Sequence, residues 1–201
     1  EPELLDSLAP GDPAAIASRR DLARINGVMR QPAIMARALR GFPRPRLLLD
    51  LGGGDGRFLL AVARRLRWQG VTAAIADRQA IVSDETSGGF AALGWGCEIR
   101  QGDVFDILAS TQNGVLIVAN LFLHHLDDAA LARLFALAAA RGSGLAACEP
   151  RRGAGGLCAA HLVAALGANH VTRHDAVASV RAGFAGRELS ALWPQGGGWE
   201  T

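Results

Sequence analysis

Short apolar runs alternate with amphipathic stretches from residue 46 to residue 150. The runs predict strands, and they lie at 47–49, 71–76, 98–100, 115–119 and 144–148. Apolar residues at helical spacing predict helices over 57–67 and 83–93, and a third helix that begins at Asp127-Asp128. Strands and helices that alternate at this spacing form βαβ units. We therefore expect an α/β fold with a doubly wound, mostly parallel sheet covered on both faces.

A helical segment precedes this pattern. Asp12 is placed to cap a helix that starts at Pro13. The apolar positions that suit one face of this helix are Leu22, Ile25, Val28 and Met29. A second helix is predicted over 32–39, where a glycine and two prolines follow. We therefore divide the chain into an N-terminal helical cap, residues 1–45, and a main domain, residues 46–201.

The pattern after residue 150 is weaker. Helices are expected over 157–166 and 175–184, and a strand is expected over 188–193. The glycine-rich stretch from residue 195 onward predicts a loop.

Composition and charge narrow the classes of function. Half of the residues are hydrophobic, which is enough for a sizeable core. The formal net charge is +2, so a broad basic surface for nucleic acid or an anionic membrane is not indicated. All 21 basic residues are Arg, and the lack of Lys excludes Schiff-base chemistry and a P-loop lysine.

Cysteine spacing and targeting signals point to an ordinary intracellular protein. Cys97, Cys148 and Cys158 form no C-x-x-C pair and no zinc spacing, so we expect neither a disulfide framework nor a structural metal. No apolar run approaches the roughly 18 residues of a membrane span. The first residues lack a signal-peptide pattern. We expect a cytoplasmic protein that binds no membrane.

A glycine-rich turn follows the first predicted strand, with the sequence Asp50-Leu51-Gly52-Gly53-Gly54-Asp55-Gly56. Glycines at a strand-to-helix turn let the backbone approach a ligand, and the helix behind them offers free N–H groups. A dinucleotide-binding turn would have glycine at the position of Arg57. Asp50 is better suited to a cation such as the ammonium of an amino acid. The alternative is a tight turn that binds nothing.

Acidic residues end the next two strands. Asp77 follows the second strand and is placed to accept both hydroxyls of a ribose. Asp103 follows the third strand and can accept an exocyclic adenine amine while Val104 packs on the ring. Each acid taken alone suits an ordinary helix cap. The three acids at successive strand ends, together with the glycine turn, favour a nucleoside-containing ligand.

These motifs resemble those of class I S-adenosylmethionine (SAM)-dependent methyltransferases, over roughly residues 45–150. The stretch Asn120-Leu121-Phe122-Leu123-His124-His125-Leu126 is similar to the segment after the fourth strand in small-molecule members of that family. The resemblance implies a Rossmann-like fold with SAM as cofactor. It places these residues at the cofactor: Asp50, Gly52, Gly53, Gly54, Gly56, Asp77, Asp103, Val104 and Asn120. It also implies that the N-terminal helices cover the site through Arg24, Asn26 and Met29.

Three later stretches extend the resemblance to bacterial methyltransferases found with type III polyketide synthases. They are 148–152, 179–184 and 188–194. This likeness implies a small-molecule acceptor with a phenolic or pyrone hydroxyl. The sheet of the family ends in an antiparallel hairpin, whereas this sequence ends in a glycine loop after its presumed sixth strand. The final strand is then absent, disordered or supplied by a neighbouring chain, and a homodimer is one arrangement that supplies it.

The residues after the fourth strand suggest how the acceptor is treated. A hydroxyl acceptor benefits from a general base, and histidine suits neutral pH. His124 and His125 are the candidate catalytic residues, and because adjacent side chains point differently we expect one of them to face the site. The alternative is that both are structural. The Asn/Asp-Pro-Pro-aromatic turn of many amine methyltransferases is absent here, which argues against a nucleic-acid amine as substrate. An RNA substrate stays open, because other RNA methyltransferases lack that turn.

The remaining polar residues support weaker hypotheses. His170 and His174 would suit a metal on a helix, but Val171-Thr172 between them favours an extended segment, so no metal is expected. Arg151 and Arg152 could bind an acidic substrate or lie in solvent. Two other functions remain open: a non-catalytic SAM-binding subunit or sensor, and a nicotinamide-dependent dehydrogenase that Arg57 disfavours.

Overall fold

Five parallel strands form one sheet in the order β3-β2-β1-β4-β5 in the computed structural model, which describes residues 3–162 and 167–194. The strands are β1 (Leu47–Leu51), β2 (Thr72–Asp77), β3 (Gly96–Gln101), β4 (Val115–Asn120) and β5 (Gly142–Cys148). Each lies where the sequence predicts it. The Rossmann-like α/β fold is therefore confirmed, and its chain reversal lies between β1 and β4.

Alternate strand residues face opposite sides of the sheet, and each side carries its own core. Leu48 of β1 packs with Ile75 and Val118 against helices on one side. Leu49 packs with Ala74 and Ile117 against helices on the other side. The central strands β1 and β4 are almost wholly apolar because both of their faces are covered.

Nine α-helices lie among the described residues. They are α1 (Pro13–Val28), α2 (Gln31–Leu39), α3 (Arg57–Leu66), α4 (Asp84–Ala91), α5 (Val104–Ser110), α6 (Asp128–Arg141), α7 (Ala154–Leu162), α8 (His170–Ala182) and α9 (Glu188–Ala191). Short 3₁₀ turns add Leu5–Ser7 and Leu123–His125. The predicted caps are present: Asp12 accepts from the amide of Ala14, and Asp127 accepts from that of Ala130. No helix of the described residues is long and apolar enough to cross a membrane.

The N-terminal helices form as predicted, but α1 buries a different face. Met35 and Leu39 of α2 are fully buried in the core on the α3 side of the sheet. Val28 at the end of α1 is exposed, by contrast, and so is Met29 directly after it. The buried positions of α1 are Ala15, Ser18, Asp21 and Asn26. Of the apolar positions that share one face, Leu22 and Ile25 are half-buried, and α1 packs on α8 through polar groups.

A buried hydrogen-bond network joins α1 to α8. The Thr172 hydroxyl donates to Ser18 Oγ (3.0 Å), and the backbone amide of Asn169 donates to Asp21 Oδ2 (2.9 Å). The Asn169 side chain donates to the carbonyl of Ala14 (2.9 Å) and caps α8 through Thr172 N. This network explains why a helix with few buried apolar residues has a fixed position.

Two predictions for the C-terminal part were wrong. The segment 188–193 is not a strand, because Leu189, Leu192 and Trp193 follow helical spacing and pack on the α6 side of the sheet, where Trp193 meets Phe135. Val171-Thr172 is helical, because burial of both residues and the Asn169 cap override their preference for extended backbone. The helix expected over 157–166 begins earlier, at Ala154. Residues 163–166 and the loop expected from 195 lie outside the described residues.

Candidate functional site

The predicted site residues gather at the carboxyl ends of the strands, around the reversal between β1 and β4. Ligands of open α/β sheets bind in this crevice. The glycine turn follows β1, Asp77 ends β2, Asp103 follows β3, and Asn120 ends β4. A cleft of about 380 Å³ lies beside the turn, between Asp55 and Arg57 on one side and Ile16 and Arg19 of α1 on the other.

The glycine turn is fastened to the end of β2 and packed too closely for side chains. The amides of Gly52 and Gly53 donate to the carbonyl of Ala76 at 2.8 and 3.2 Å. Gly52 has φ +67°, and a Cβ there would clash with the ring of Phe122. A Cβ on Gly53 would lie 2.9 Å from Asp50 Oδ2 and 2.8 Å from Ile75. The turn therefore depends on glycine for conformation and for close approach.

Asp50 lies buried beneath this turn. The residue is 1% exposed, and its Oδ2 accepts no hydrogen bond from the described residues. Burial, with a smaller contribution from the nearby Asp77 carboxylate, raises the pKa of Asp50 to about 8. A buried carboxyl group without a donor is costly, so this position is suited to a ligand that brings a donor or a positive charge.

Asp77 supports the turn and keeps accepting capacity. Its Oδ2 accepts from the amide of Gly54 at 2.9 Å, and its Oδ1 accepts from the amide of Gln79 at 2.9 Å. A carboxylate offers about four lone-pair sites, so each oxygen can accept one more hydrogen bond. Two hydroxyls on neighbouring carbons are a suitable partner.

Asp103 has the more ordinary role that its sequence position also allows. It caps α5 by accepting from the amide of Phe105 (2.9 Å), and its other oxygen lies 3.5 Å from Arg78 in an exposed ion pair. Val104 is already buried in the core at 7% exposure. Little of its side chain is left to pack on a ring, whereas Phe105 beside it is covered by Arg133 at 4.6 Å.

Asn120 opens the turn that follows β4. Its Oδ1 is buried and accepts no hydrogen bond from the described residues. The next residue, Leu121, has a left-handed backbone with φ +53°. Phe122 then packs against Gly52 of the first turn. The two turns are therefore in contact, and two buried side-chain oxygens without donors, those of Asp50 and Asn120, belong to the same edge of the sheet.

Glu149 builds the turn that carries the two histidines. It directly follows β5, and its side chain is 4% exposed. Its Oε1 accepts from the amides of Phe122 (3.0 Å) and Leu123 (2.9 Å). Its Oε2 accepts from His124 Nδ1 at 2.7 Å. One carboxylate thus fixes both the 3₁₀ turn and the orientation of the His124 ring.

Glu3 reaches the opposite side of both histidines. Its Oε1 lies 3.2 Å from His124 Nε2, and its Oε2 lies 3.3 Å from His125 Nε2. Ser179 of α8 donates to the same carboxylate. The 3₁₀ turn brings both rings together with centroids 4.3 Å apart, and the Nε2 atoms of both lie beside Glu3. Which of the two rings faces an acceptor stays a prediction.

The pKa values of this cluster follow from its hydrogen bonds. Burial opposes protonation of His124, but hydrogen bonds with Glu149 and Glu3 outweigh it and raise its pKa to about 9. Burial likewise opposes protonation of His125, yet the bond with Glu3 raises its pKa. Burial would raise the pKa of Glu3, but hydrogen bonds from His124, His125 and Ser179 hold it well below its usual range.

A short N-terminal segment holds Glu3 in place. Asp175 of α8 accepts from the amides of Leu4 (2.7 Å) and Leu5 (3.0 Å). Both oxygens of Asp175 are used in this way. The segment therefore lies across α8 and directs the Glu3 side chain toward the turn after β4.

The structure places the other predicted polar residues less centrally. Arg24 is exposed and pairs with Asp21 at 3.3 Å, Asn26 is buried in α1, and Met29 is exposed. His170 is exposed at the start of α8, and His174 Nδ1 lies 2.9 Å from Asp175. Arg152 pairs with Glu188 at 2.5 Å.

A larger groove of about 600 Å³ lies at the opposite edge of the sheet, beside Arg46, Thr72 and Thr111.

Sequence reasoning missed the three residues that surround the histidines. Glu149 could have been found, because it is an acid directly after a strand, like Asp77 and Asp103. Glu3 and Ser179 carry no such signal, since their contacts span 121 and 176 residues.

Structures of known methyltransferases share this fold. The mitomycin 7-O-methyltransferase MmcR superposes with a TM-score of 0.57 at 19% identity over 94% of this chain and 52% of its own. The plantazolicin methyltransferase BpumL, solved with SAH, gives a TM-score of 0.64 at 14% identity over 90% of this chain and 69% of its own. An O-methyltransferase family protein from Burkholderia thailandensis gives 0.56 at 18% identity, over 85% of this chain and 50% of its own.

The chain spans about half the length of the first and third of these proteins. No family model matches the sequence, and no curated protein matches it. At these identities the likeness establishes the fold, and the cofactor and reaction have to be argued from the site.

Proposed function

We propose that this protein transfers the methyl group of SAM to a small-molecule acceptor, at a phenolic or pyrone hydroxyl. The observation that carries the proposal is the buried Asp50 carboxyl group, whose Oδ2 accepts no hydrogen bond from the described residues. It lies beneath a turn in which Gly52 and Gly53 leave no room for a Cβ. A ligand with an ammonium group, placed on this turn, supplies the positive partner that the Asp50 carboxylate needs.

The proposed cofactor residues divide by chemistry. Asp50 and the turn, with Gly52, Gly53, Gly54 and Gly56, would hold the methionine part. Asp77 would hold the ribose hydroxyls through its remaining lone pairs. Asp103 would lie at the adenine, and Val104 would offer the ring only the small part of its side chain that the core leaves exposed. Asn120 offers a buried oxygen at the end of β4. When bound, SAM supplies an activated methyl group, so the protein has mainly to position the acceptor and exclude water.

The histidines after β4 would handle the acceptor. His124 is oriented by Glu149, and its Nε2 faces the place that the Glu3 carboxylate now holds. An acceptor hydroxyl in that place would lie within hydrogen-bond distance of His124 Nε2. Displacement of Glu3 removes one of the two carboxylates that raise the pKa of His124, and the neutral ring can then take the hydroxyl proton. His125 Nε2 faces the same place and would hold the acceptor oxygen. The acceptor must therefore displace the Glu3 side chain.

The first experiment is calorimetric titration with SAM and with its demethylated product. We expect micromolar binding of both, and a loss of at least tenfold in affinity for Asp77→Ala. Asp128→Asn is the matched control, because it removes an exposed carboxylate in the first turn of α6, at the same edge of the sheet. Absence of SAM binding by folded protein, or equal loss in both variants, would overturn the cofactor assignment.

A non-catalytic SAM-binding subunit is the second candidate. The observation that favours it is the position of the Glu3 carboxylate, which pairs with the Nε2 atoms of both histidines and so blocks an acceptor from reaching them. SAM binding without turnover of any phenol or pyrone, by the native chain and by Glu3→Ala, would favour this candidate. A homodimer is the assembly we propose for either function, to be checked by sedimentation.

A further inference from the structure

Three potential ligand atoms converge at the turn after β4. They belong to Glu3, His124 and His125, and they lie within 4.8 Å of one another. His124 Nε2 lies 3.2 Å from Glu3 Oε1, and His125 Nε2 lies 3.3 Å from Glu3 Oε2. Metal–ligand bonds of about 2.0–2.1 Å in tetrahedral geometry place neighbouring ligand atoms about 3.3 Å apart. The spacing of these side chains therefore suits one small metal ion.

Both imidazole rings are held in the tautomer that a metal requires. His124 Nδ1–H donates to Glu149 Oε2 at 2.7 Å, and His125 Nδ1–H donates to the carbonyl of Phe122 at 3.0 Å. In a neutral ring this leaves the lone pair on Nε2, and both Nε2 atoms face Glu3. Metal-binding histidines commonly donate their other N–H to a carboxylate or a backbone carbonyl in this way.

Charge and ligand type narrow the class of ion. Glu3 and Glu149 carry two negative charges at this site, so a divalent cation bound to neutral imidazoles balances them. Two nitrogen ligands favour zinc and neighbouring first-row metals over magnesium or calcium, which prefer oxygen.

We propose that Glu3, His124 and His125 bind a divalent transition-metal ion, with Glu149 positioning His124 from behind. Ser179 holds the Glu3 carboxylate by donating to it, and Asp175 holds the segment that carries Glu3. Three protein ligands leave one tetrahedral position open, and a water molecule can occupy it. The site needs no SAM, so it goes beyond the proposed function and stands apart from it.

Metal binding can be measured directly on protein that has been dialysed against a chelator. We expect Zn²⁺ and Co²⁺ to bind with one-to-one stoichiometry and at least micromolar affinity, whereas Mg²⁺ does not. Bound Co²⁺ should show the strong visible absorption of a four- or five-coordinate site. Absence of one-to-one Zn²⁺ binding would overturn the proposal.

Variants assign the binding to this cluster. Glu3→Gln and His125→Asn should each weaken Zn²⁺ binding at least 100-fold, and Glu149→Gln should weaken it about 10- to 100-fold. His125 is the safer test of folding, because it is exposed. His161→Asn, an exposed histidine on α7, is the matched control and should bind like the native protein. Unchanged binding by folded Glu3→Gln and His125→Asn would place the ion elsewhere and overturn the proposal.

The metal and the cofactor can fail separately. SAM titration in the presence of chelator tests the cofactor site alone, and Zn²⁺ titration without SAM tests the cluster alone. SAM binding without Zn²⁺ binding overturns the metal site and leaves the proposed function. Zn²⁺ binding without SAM binding supports the metal site and overturns the proposed function.

Discussion

The two halves of the site are built in opposite ways. On the proposed cofactor side, the turn after β1 and the acid at the end of β2 come from 28 consecutive residues, Asp50 to Asp77. They leave a buried carboxyl oxygen without a donor among the described residues. On the histidine side, Glu3, His124, Glu149 and Ser179 come from four distant parts of the chain, and their polar atoms are satisfied by one another. The first half is poised for a ligand, whereas the second is stable as it stands.

This difference predicts opposite responses to substitution. Changes on the histidine side should lower stability, because they leave buried partners without a hydrogen bond. Removing the charge on the cofactor side should raise stability and lower binding, as expected of a functional site that is not at its stability optimum.

The largest effect is expected for Glu149→Ala. The substitution leaves two buried amides and His124 Nδ1 without their acceptor, which should cost about 3–5 kcal/mol of the free energy of unfolding. Urea denaturation measures this, with Glu149→Gln as the control that keeps one acceptor oxygen and should lose less. A loss below about 1 kcal/mol for Glu149→Ala would show that the carboxylate does not organise the turn.

The next largest effect is expected for Asp50→Asn, with the opposite sign. In the folded protein the pKa of Asp50 is raised to about 8, from 3.8 for the free side chain. The native state therefore binds more protons than the unfolded state between these values, and the free energy of unfolding falls as the pH rises from about 4 to about 8. Asp50→Asn removes this loss of stability, because the asparagine side chain does not ionise.

We expect Asp50→Asn to be more stable than the native protein by about 2–4 kcal/mol at pH 7.5, and by much less at pH 5. Thermal or urea denaturation at the two pH values measures the difference. The same variant should bind SAM at least tenfold more weakly. Lower stability of Asp50→Asn at pH 7.5 would contradict a raised pKa.

A smaller effect is expected for Gly53→Ala. The added methyl group meets Ile75 and the Asp50 carboxyl group, so we expect a loss of about 1–3 kcal/mol in stability and weaker SAM binding. Gly155→Ala on α7 is the matched control. Its added Cβ meets open space, so this variant should be neutral or slightly stabilised. Equal behaviour of the two variants would contradict the close approach at Gly53.

The smallest effect is expected for Asp103. Asp103→Ala removes the cap of α5 and should cost about 1 kcal/mol, whereas Asp103→Asn keeps the cap. If Asp103 also binds adenine, both variants should weaken SAM binding, by severalfold. Native SAM affinity in Asp103→Asn would restrict this residue to its capping role.

The same contrast explains what could be predicted from the sequence. The strands and the glycine turn follow from local patterns. Apolar strand runs, helix caps and glycine conformations each depend on only a few neighbouring residues. The buried polar face of α1 and the Glu3 contacts depend on α8, which lies more than 140 residues away. The position of Asp103 suits both a helix cap and a ligand-binding carboxylate, so the local pattern could not distinguish the two roles.

The cytoplasmic location and the link to polyketide synthases stay predictions.

The most direct test of the proposed cofactor site is to count the protons released on binding. At pH 6.5 the Asp50 carboxyl group of the free protein should be protonated, and an ammonium group that binds beside it should drive the proton off. SAM titrations in two buffers with different ionisation enthalpies measure this release. We predict close to one proton released per SAM bound by the native protein and none by Asp50→Asn. SAM binding without proton release from the native protein would contradict the account.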